Sequence, residues 1–484
     1  MAGQPPPGDS EEIQLKRALG PIHLVALGIG AIIGAGIFVI TGHAAAGYAG
    51  PGVVISFAIA GTGCLFAGLC YAEYASMIPV AGSAYTYSYA TLGREVGWFI
   101  GWNLVLEYLA AASTVAVGWS GYFGDFLRSI GLPIPAQLAS APLAVRGVDD
   151  FVLTGTWFNL PAVFLIALVS TVLVVGVNMS ANFNNLMVAI KLTIVLLVIA
   201  FGLGHVDPAN LTPFIPPNTG TFGQFGWTGV FRATGVIFFA YIGFDAVSVA
   251  AQEARNPQRD LPIGILGSLL LCTVLYMLMS YVITGIAPYT TLGVDHPVSQ
   301  AVEAIPGTAW LAPIVNVGAI VGLASVVLVM LLGQSRVFYA MAKDGLFFEM
   351  FGKVHPRFRT PAAGTIITGI FAALLAGVLP LDILGELVSI GTLSAFVVVC
   401  AGVMVLRVTH KHVLRPFRTP LVWIVAPLGI AVCLFMMVFL PRDTWIRLAV
   451  WTAIGLAIYL GYGIRHARPP RWSFVAAPGV EPAE

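Results

Sequence analysis

Gly28-Ile29-Gly30-Ala31-Ile32-Ile33-Gly34-Ala35-Gly36-Ile37-Phe38 is an apolar stretch interrupted by glycines, and Phe238-Phe239-Ala240-Tyr241-Ile242-Gly243-Phe244-Asp245 is a second one. A backbone that unwinds in hydrocarbon leaves N–H and C=O groups unpaired at several kcal/mol each. It persists only where it is buried in protein or lines a wet, ligand-binding cavity. The two stretches therefore mark a binding site. Glycine- or proline-interrupted segments at matching places in two halves of a membrane protein point to the midplane site of a secondary transporter.

Composition sets the surroundings of these breaks. The chain has 484 residues, of which 58% are hydrophobic and 9% charged, with a mean hydropathy of +0.91. A soluble domain carries about 25% charged residues, so this is an all-α polytopic membrane protein. A net charge of +1 and a pI near 7.7, with no basic stripe, argue against nucleic acid as a partner. Membrane lipid is the expected surrounding partner. Cys64, Cys70, Cys272, Cys400 and Cys433 all fall in apolar segments without metal or CxxC spacing, which makes them small core residues. The N-terminal residues, Pro-rich and acidic before Lys16-Arg17, contain no apolar signal segment with a cleavage site.

With about 20 apolar residues per helix as the ruler, twelve spans are expected, near 22–46, 50–77, 96–124, 158–177, 184–204, 228–251, 262–286, 309–333, 362–379, 384–407, 420–440 and 445–464. Placing the N-terminus inside puts most of the 23 Lys and Arg residues in cytoplasmic segments, which predicts both termini in the cytoplasm and a multi-pass protein of the plasma (inner) membrane. The expected organisation is a tail over 1–20, one transmembrane domain over 21–466 and a second tail over 467–484. The long connections at 125–157 and 205–227 contain Pro and Gly and are expected to carry short surface helices. The broken spans are the first and the sixth, each opening a group of five, so the spacing suggests two five-helix repeats with two helices appended.

At this point particular motifs resemble a known family. They are Gly34-Ala35-Gly36-Ile37-Phe38, Tyr71-Ala72-Glu73, Pro79-Val80-Ala81-Gly82-Ser83-Ala84-Tyr85, Gly101-Trp102-Asn103 with Glu107-Tyr108, Phe239 through Asp245, Glu253 with Asn256-Pro257, and Arg336-x-x-Tyr339-Ala340-Met341-Ala342-Lys343-Asp344-Gly345. In this order and spacing, over roughly 20–465, the chain resembles the amino acid–polyamine–organocation transporters, within them the bacterial branch similar to cationic amino acid transporters. The resemblance implies a LeuT-type 5+5 inverted repeat with two additional helices, twelve transmembrane helices in all.

The physics of the first break suits an amino acid. Unwinding at Gly34, Ala35 and Gly36 exposes the N-terminal amides of the half-helix that follows, whose dipole attracts a carboxylate. Freed carbonyls around Ile32 and Ile33, with those of Phe239, Ala240 and Ile242, can accept from an α-ammonium. The resemblance implies the same pairing. Among the aromatic groups able to close the site, Phe239, Tyr241 and Phe244, the choice falls on Phe239. A nucleotide fingerprint is excluded by context, since it needs a strand–turn–helix unit and an acidic residue about 20 positions on, where this chain has Gly50-Pro51-Gly52-Val53. Glycines that merely let helices pack closely would not account for the second break at the corresponding span.

Lys191 lies about seven residues into the fifth span, roughly 10 Å deep, where a lysine costs about 2.5–3.5 kcal/mol. Burial opposes the charged form of an ammonium, so such a lysine is able to exchange a proton, and the resemblance to lysine-bearing transporters implies proton coupling there. A snorkelling lysine, or one bonded permanently to first-span carbonyls, is the competing reading. Glu107, midway along the third span, is expected to meet either a cationic substrate side chain or a proton, or to be locked to a neighbouring Tyr or Trp. Asp245 has a structural or gating part, and Glu73, Glu253 and Asp344 are inner-gate or loop-anchoring groups. Leu323, Ala324 and Ser325 are expected to shape the side-chain pocket, and their small or apolar character favours neutral substrates over arginine.

Scattered histidines, with His410-x-His412 in a basic loop, give no metal constellation, and no cofactor is expected. The strings at Asn178 and Asn210 that match a glycosylation pattern carry no functional reading. No Walker loop, GxSxG elbow or HExxH motif occurs, so neither an ATP-driven pump nor a hydrolase has its chemistry, and no enzymatic activity is expected. The expectation is a secondary active importer of L-amino acids using proton symport. An exchanger or polyamine carrier is the alternative within transport, and an amino-acid sensor or channel the alternative outside it.

Overall fold

A computed structural model describes residues 19–77, 83–146, 150–176, 181–249, 254–308, 310–411 and 413–469. Among these residues, eight helices are long and apolar enough to cross a membrane: Gly36–Met77, Arg94–Ser129, Asn185–Leu203, Gly226–Ser248, Pro257–Ile286, Leu311–Lys343, Leu381–Thr409 and Arg442–His466. Four shorter apolar helices are Pro21–Ile32, Leu160–Val175, Ala362–Val378 and Val422–Val438. The segment Gly36–Met77 joins two stretches that read as separate spans in the sequence. Helical hydrogen bonding continues through a wide turn at Ala45–Ala49 and a tight one at Gly50–Gly52, where Gly50 takes φ +59°.

Local signals set several helix ends. Asn159 caps Leu160–Val175 by accepting from the Ala162 amide at 3.2 Å, with Pro161 in the first turn, and Gly176 closes that helix in the left-handed region. Arg94–Ser129 runs for 36 residues, about 54 Å, well beyond a hydrocarbon core of about 30 Å. It is the central pillar and packs along Leu311–Lys343 and Leu381–Thr409. The most apolar windows of Arg94–Ser129 and Gly226–Ser248 are each 94% buried, whereas that of Arg442–His466 is 17% buried, so the first two form the inside of the bundle and the last its lipid-facing rim. Helices far apart in the chain pack together. Pro21–Ile32 packs on Pro257–Ile286, and Gly226–Ile237 packs on Val53–Met77. Just ahead of the first helix, the Leu19 carbonyl accepts from the Arg255 amide at 2.8 Å, tying the start of the first helix to the segment that leads into Pro257–Ile286.

The long connections differ from expectation. Among its described residues the 125–157 connection carries one 3-10 turn, Ala136–Leu138, and an antiparallel pair of strands, Leu143–Arg146 with Asp150–Leu153, in which Val145 pairs with Phe151 and Ala144 with Val152. The 205–227 connection contains turns and no helix before Gly226. β-Branched and aromatic residues in runs this short favour extended pairing over a helix too short to nucleate. The expected tails over 1–20 and 467–484 lie almost wholly outside the described residues, as do Glu253 and most of Pro79 through Ser83.

Candidate functional site

The first break falls at Ile33–Gly34. Helix Pro21–Ile32 ends, Ile33 is extended (φ −70°, ψ 98°), and Ala35 returns to helical geometry ahead of the wide turn Gly36–Ile40. The Phe38 amide donates to the Gly34 carbonyl at 3.3 Å, so the amides before it belong to a first turn, which has no intrahelical acceptors. In the second stretch, helix Gly226–Ile237 tightens into a 3-10 turn, Phe238–Tyr241, before Ile242 becomes extended (φ −64°, ψ 139°). Gly243 follows at φ +114°, and a Cβ there would come to 2.8 Å from the Ala31 carbonyl oxygen. Backbone angle and space both require glycine at that position.

The two breaks touch. A Cβ added to Gly36 would overlap the Ala240 backbone, and one added to Gly34 would press on Val326 at 3.3 Å. Between them lies a small, narrow cavity lined by Ala31, Ile32, Gly34, Ala35 and Gly36 from the first break, Phe239 and Ile242 from the second, and Val115, Val326 and Met330 from the neighbouring helices. No charged side chain lines it. The Tyr276 hydroxyl sits within 2.8 Å of the Ile32 carbonyl and 2.9 Å of the Ala240 carbonyl, one from each break.

The cavity thus gathers Ile32, Gly34, Ala35, Gly36, Phe239 and Ile242 from the residues singled out in the sequence. Ile33 and Ala240 are buried beside it. Leu323 is fully buried in the bundle and is not part of the wall, and the Ser325 hydroxyl turns back to donate to the Gly322 carbonyl at 2.8 Å. The Leu311–Lys343 helix instead presents Val326 and Met330.

Lys191 stands outside the cavity, 1% exposed, with its ammonium donating to the Gly30 carbonyl at 2.7 Å and its stem lying across Gly322. Glu107, 2% exposed, is eight residues and about 12 Å along its helix from Val115. Its carboxyl neighbours Asp245, and its Oε2 has no hydrogen-bond partner among the described residues. Asp245 Oδ2 accepts from the Tyr108 hydroxyl at 2.7 Å. Gln334 is also fully buried, with both side-chain polar atoms unpartnered among the described residues.

Further from the cavity, Glu73 takes a bidentate pair from Arg407 at 2.9 and 2.8 Å, approaches Arg415 at 3.3 Å and accepts from the Thr419 amide at 2.8 Å. It anchors the 410–421 connection. Asp344 accepts from the Tyr85 hydroxyl at 2.8 Å. Toward the other end, the His43 ring lies 3.7 Å from Asp295 and 3.5 Å from Asp382. Tyr276, Val115, Val326, Met330 and the His43 cluster were not distinguishable in the sequence, because an aromatic or aliphatic side chain in an apolar helix reads as packing.

Within this multi-helix bundle a small, largely apolar cavity opens onto two unwound backbones. The chain belongs to the amino acid permease family, whose model matches residues 19–460. It is 48% identical over 460 residues to the branched-chain amino acid permease BcaP of Bacillus subtilis, covering 95% of this chain and 96% of that protein. It is 45% identical over 458 residues to the methylthioribose transporter of the same bacterium, at 95% and 96% coverage. It is 40% identical over 401 residues to the vacuolar cationic amino acid transporter 2 of Arabidopsis thaliana, covering 83% of this chain and 61% of that protein. It is accordingly a multi-pass membrane transporter and not an enzyme.

Proposed function

We propose that the protein imports neutral L-amino acids with branched aliphatic side chains across the plasma membrane, by alternating access and proton symport. The carrying observation is the cavity itself: it is lined by Ile32 and Gly34 through Gly36 at the first helix break, by Phe239 and Ile242 at the second, and by aliphatic side chains of Val115, Val326 and Met330. The amides and the positive helix end match a carboxylate, the carbonyls match an ammonium, and the walls match an aliphatic side chain. The reciprocal packing of the two broken helices supports a twelve-helix arrangement of two inverted five-helix repeats with two added helices, and the distribution of Lys and Arg supports both termini in the cytoplasm. One proton falling through about −100 mV yields roughly 2.3 kcal/mol and one pH unit about 1.4 more, enough for a few-hundred-fold accumulation at unit stoichiometry.

The deciding experiment is uptake into proteoliposomes with pH and potential clamped separately. L-Leucine, L-isoleucine and L-valine should accumulate under an inward proton gradient, and arginine should not. Uptake that requires a counter-substrate inside would make the protein an exchanger, and binding without accumulation would make it a sensor or channel. Similarity to the methylthioribose transporter at 45% identity supports a second reading, methylthioribose, which belongs in the same panel. That ligand has neither ammonium nor carboxylate, so preference for it would displace the amino-acid reading.

Two substitutions test the assignment of parts. Val326→Ala removes two methyl-sized groups from the wall; at about 0.8 kcal/mol per group, the KM for leucine should rise roughly tenfold while that for alanine stays put. Equal effects on both substrates would place Val326 outside the side-chain pocket. Glu107→Gln should leave leucine uptake within about twofold, because the carboxyl lies along the helix from the cavity and a charge-assisted bond is available only to a cationic side chain. Loss of leucine uptake with the fold intact would instead put Glu107 on the proton path.

A further inference from the structure

The Tyr276 hydroxyl is placed where two helices have given up hydrogen bonds. In an unbroken helix, the Ile32 carbonyl would accept from the Gly36 amide and the Ala240 carbonyl from the Phe244 amide, each four residues on. Both carbonyls instead point at one phenol, at 2.8 and 2.9 Å. Tyr276 comes from a third element, Pro257–Ile286, which packs along Pro21–Ile32 and carries no break at that level. Its ring is fully buried and fixed between two others: Phe57 at 5.4 Å and Tyr241 at 5.4 Å between centroids. Tyr241 is itself pinned, donating its hydroxyl to the Phe57 carbonyl at 2.8 Å.

We propose that Tyr276 is the positioning residue that holds both helices unwound, and thereby keeps the Ile32 and Ala240 carbonyls aimed at the substrate ammonium. A phenol has one hydrogen and so satisfies one carbonyl at a time, while each carbonyl has two lone pairs. The pair stays under-donated until an ammonium, with three donors, arrives. Without the hydroxyl, both buried carbonyls lack a donor, and the nearest remedy is the amide four residues ahead: the helices rewind toward continuity and the site closes. The inference rests on the amino-acid reading above and adds the residue that maintains the site's backbone.

Tyr276→Phe deletes the hydroxyl and retains the ring trio. In proteoliposomes the KM for L-leucine should rise about tenfold, the change expected when one buried hydrogen bond is lost, while the maximal rate per reconstituted protein stays within about twofold. Hydrogen exchange on the unliganded protein should show the Gly36 and Phe244 amides more protected in the variant. A KM that is unchanged or lower overturns the proposal, as does a maximal rate that falls with KM constant, the pattern of a merely structural tyrosine. Wild-type protein that takes up no leucine would refute the functional reading, and in that case the exchange pattern alone still decides whether Tyr276 keeps the breaks open.

Discussion

Gly36→Val is expected to abolish substrate binding and uptake while the protein remains folded. Gly36 is the point of closest approach between the two breaks: a Cβ placed there overlaps the Ala240 backbone, so the clash is with main chain and no rotamer change relieves it. Overpacking of this kind costs about 1–3 kcal/mol even where side chains can shift. Here the break must widen, which moves the resuming helix and its amides away from the Ala240 carbonyl. A β-branched side chain also fills the space through which a carboxylate would approach those amides. Affinity for leucine should fall at least about a hundredfold, read by calorimetry or ligand-induced stability shift, and Gly36→Ala should already cost most of it. Gly36→Val protein that elutes as wild type and binds leucine with wild-type affinity would remove the first break from the site.

The breaks were legible because glycine in an apolar helix has no hydrophobic reason to be there. Gly243 is the clearest case, demanded by both its φ and its contact with Ala31. Even so, the unwinding falls at Ile33–Gly34, where the sequence pointed to Gly34 through Gly36, since neighbouring glycines do not tell which peptide leaves the helix. Lys191 stood out by its cost in hydrocarbon. The cavity wall did not stand out, because in a helix apolar all round the composition carries no information about which face turns inward. Leu323 and Val326 are three residues apart and share a face of one such helix, so only height along the helix relative to the breaks puts Val326 at the cavity and leaves Leu323 in the core. Tyr276 was hidden for another reason. Its partners are carbonyls exposed by breaks more than thirty residues away, a relation that exists only after folding.

Lys191→Ala separates coupled from uncoupled carriage. The ammonium holds the Gly30 carbonyl at 2.7 Å, four residues before the break, so it ties the first half-helix to the Ala181–Leu203 helix. A lysine at this depth costs about 2.5–3.5 kcal/mol, and one charge-assisted hydrogen bond returns about 1.5–3. The margin is small enough for loss of the proton to free the half-helix, which is what a coupling residue requires. A proton arriving from the acidic side would restore the bond and reset the site. Removing the amine should therefore abolish acid-stimulated accumulation of leucine while leaving binding, because the cavity residues are untouched. Lys191→Met, which keeps the stem lying across Gly322, controls for the space that alanine opens. Both variants should bind leucine within about tenfold of wild type and show no response to an imposed pH gradient. Accumulation by either that still follows the gradient as wild type does would take Lys191 out of the mechanism and leave the buried Glu107 and Asp245 carboxyls to carry the proton.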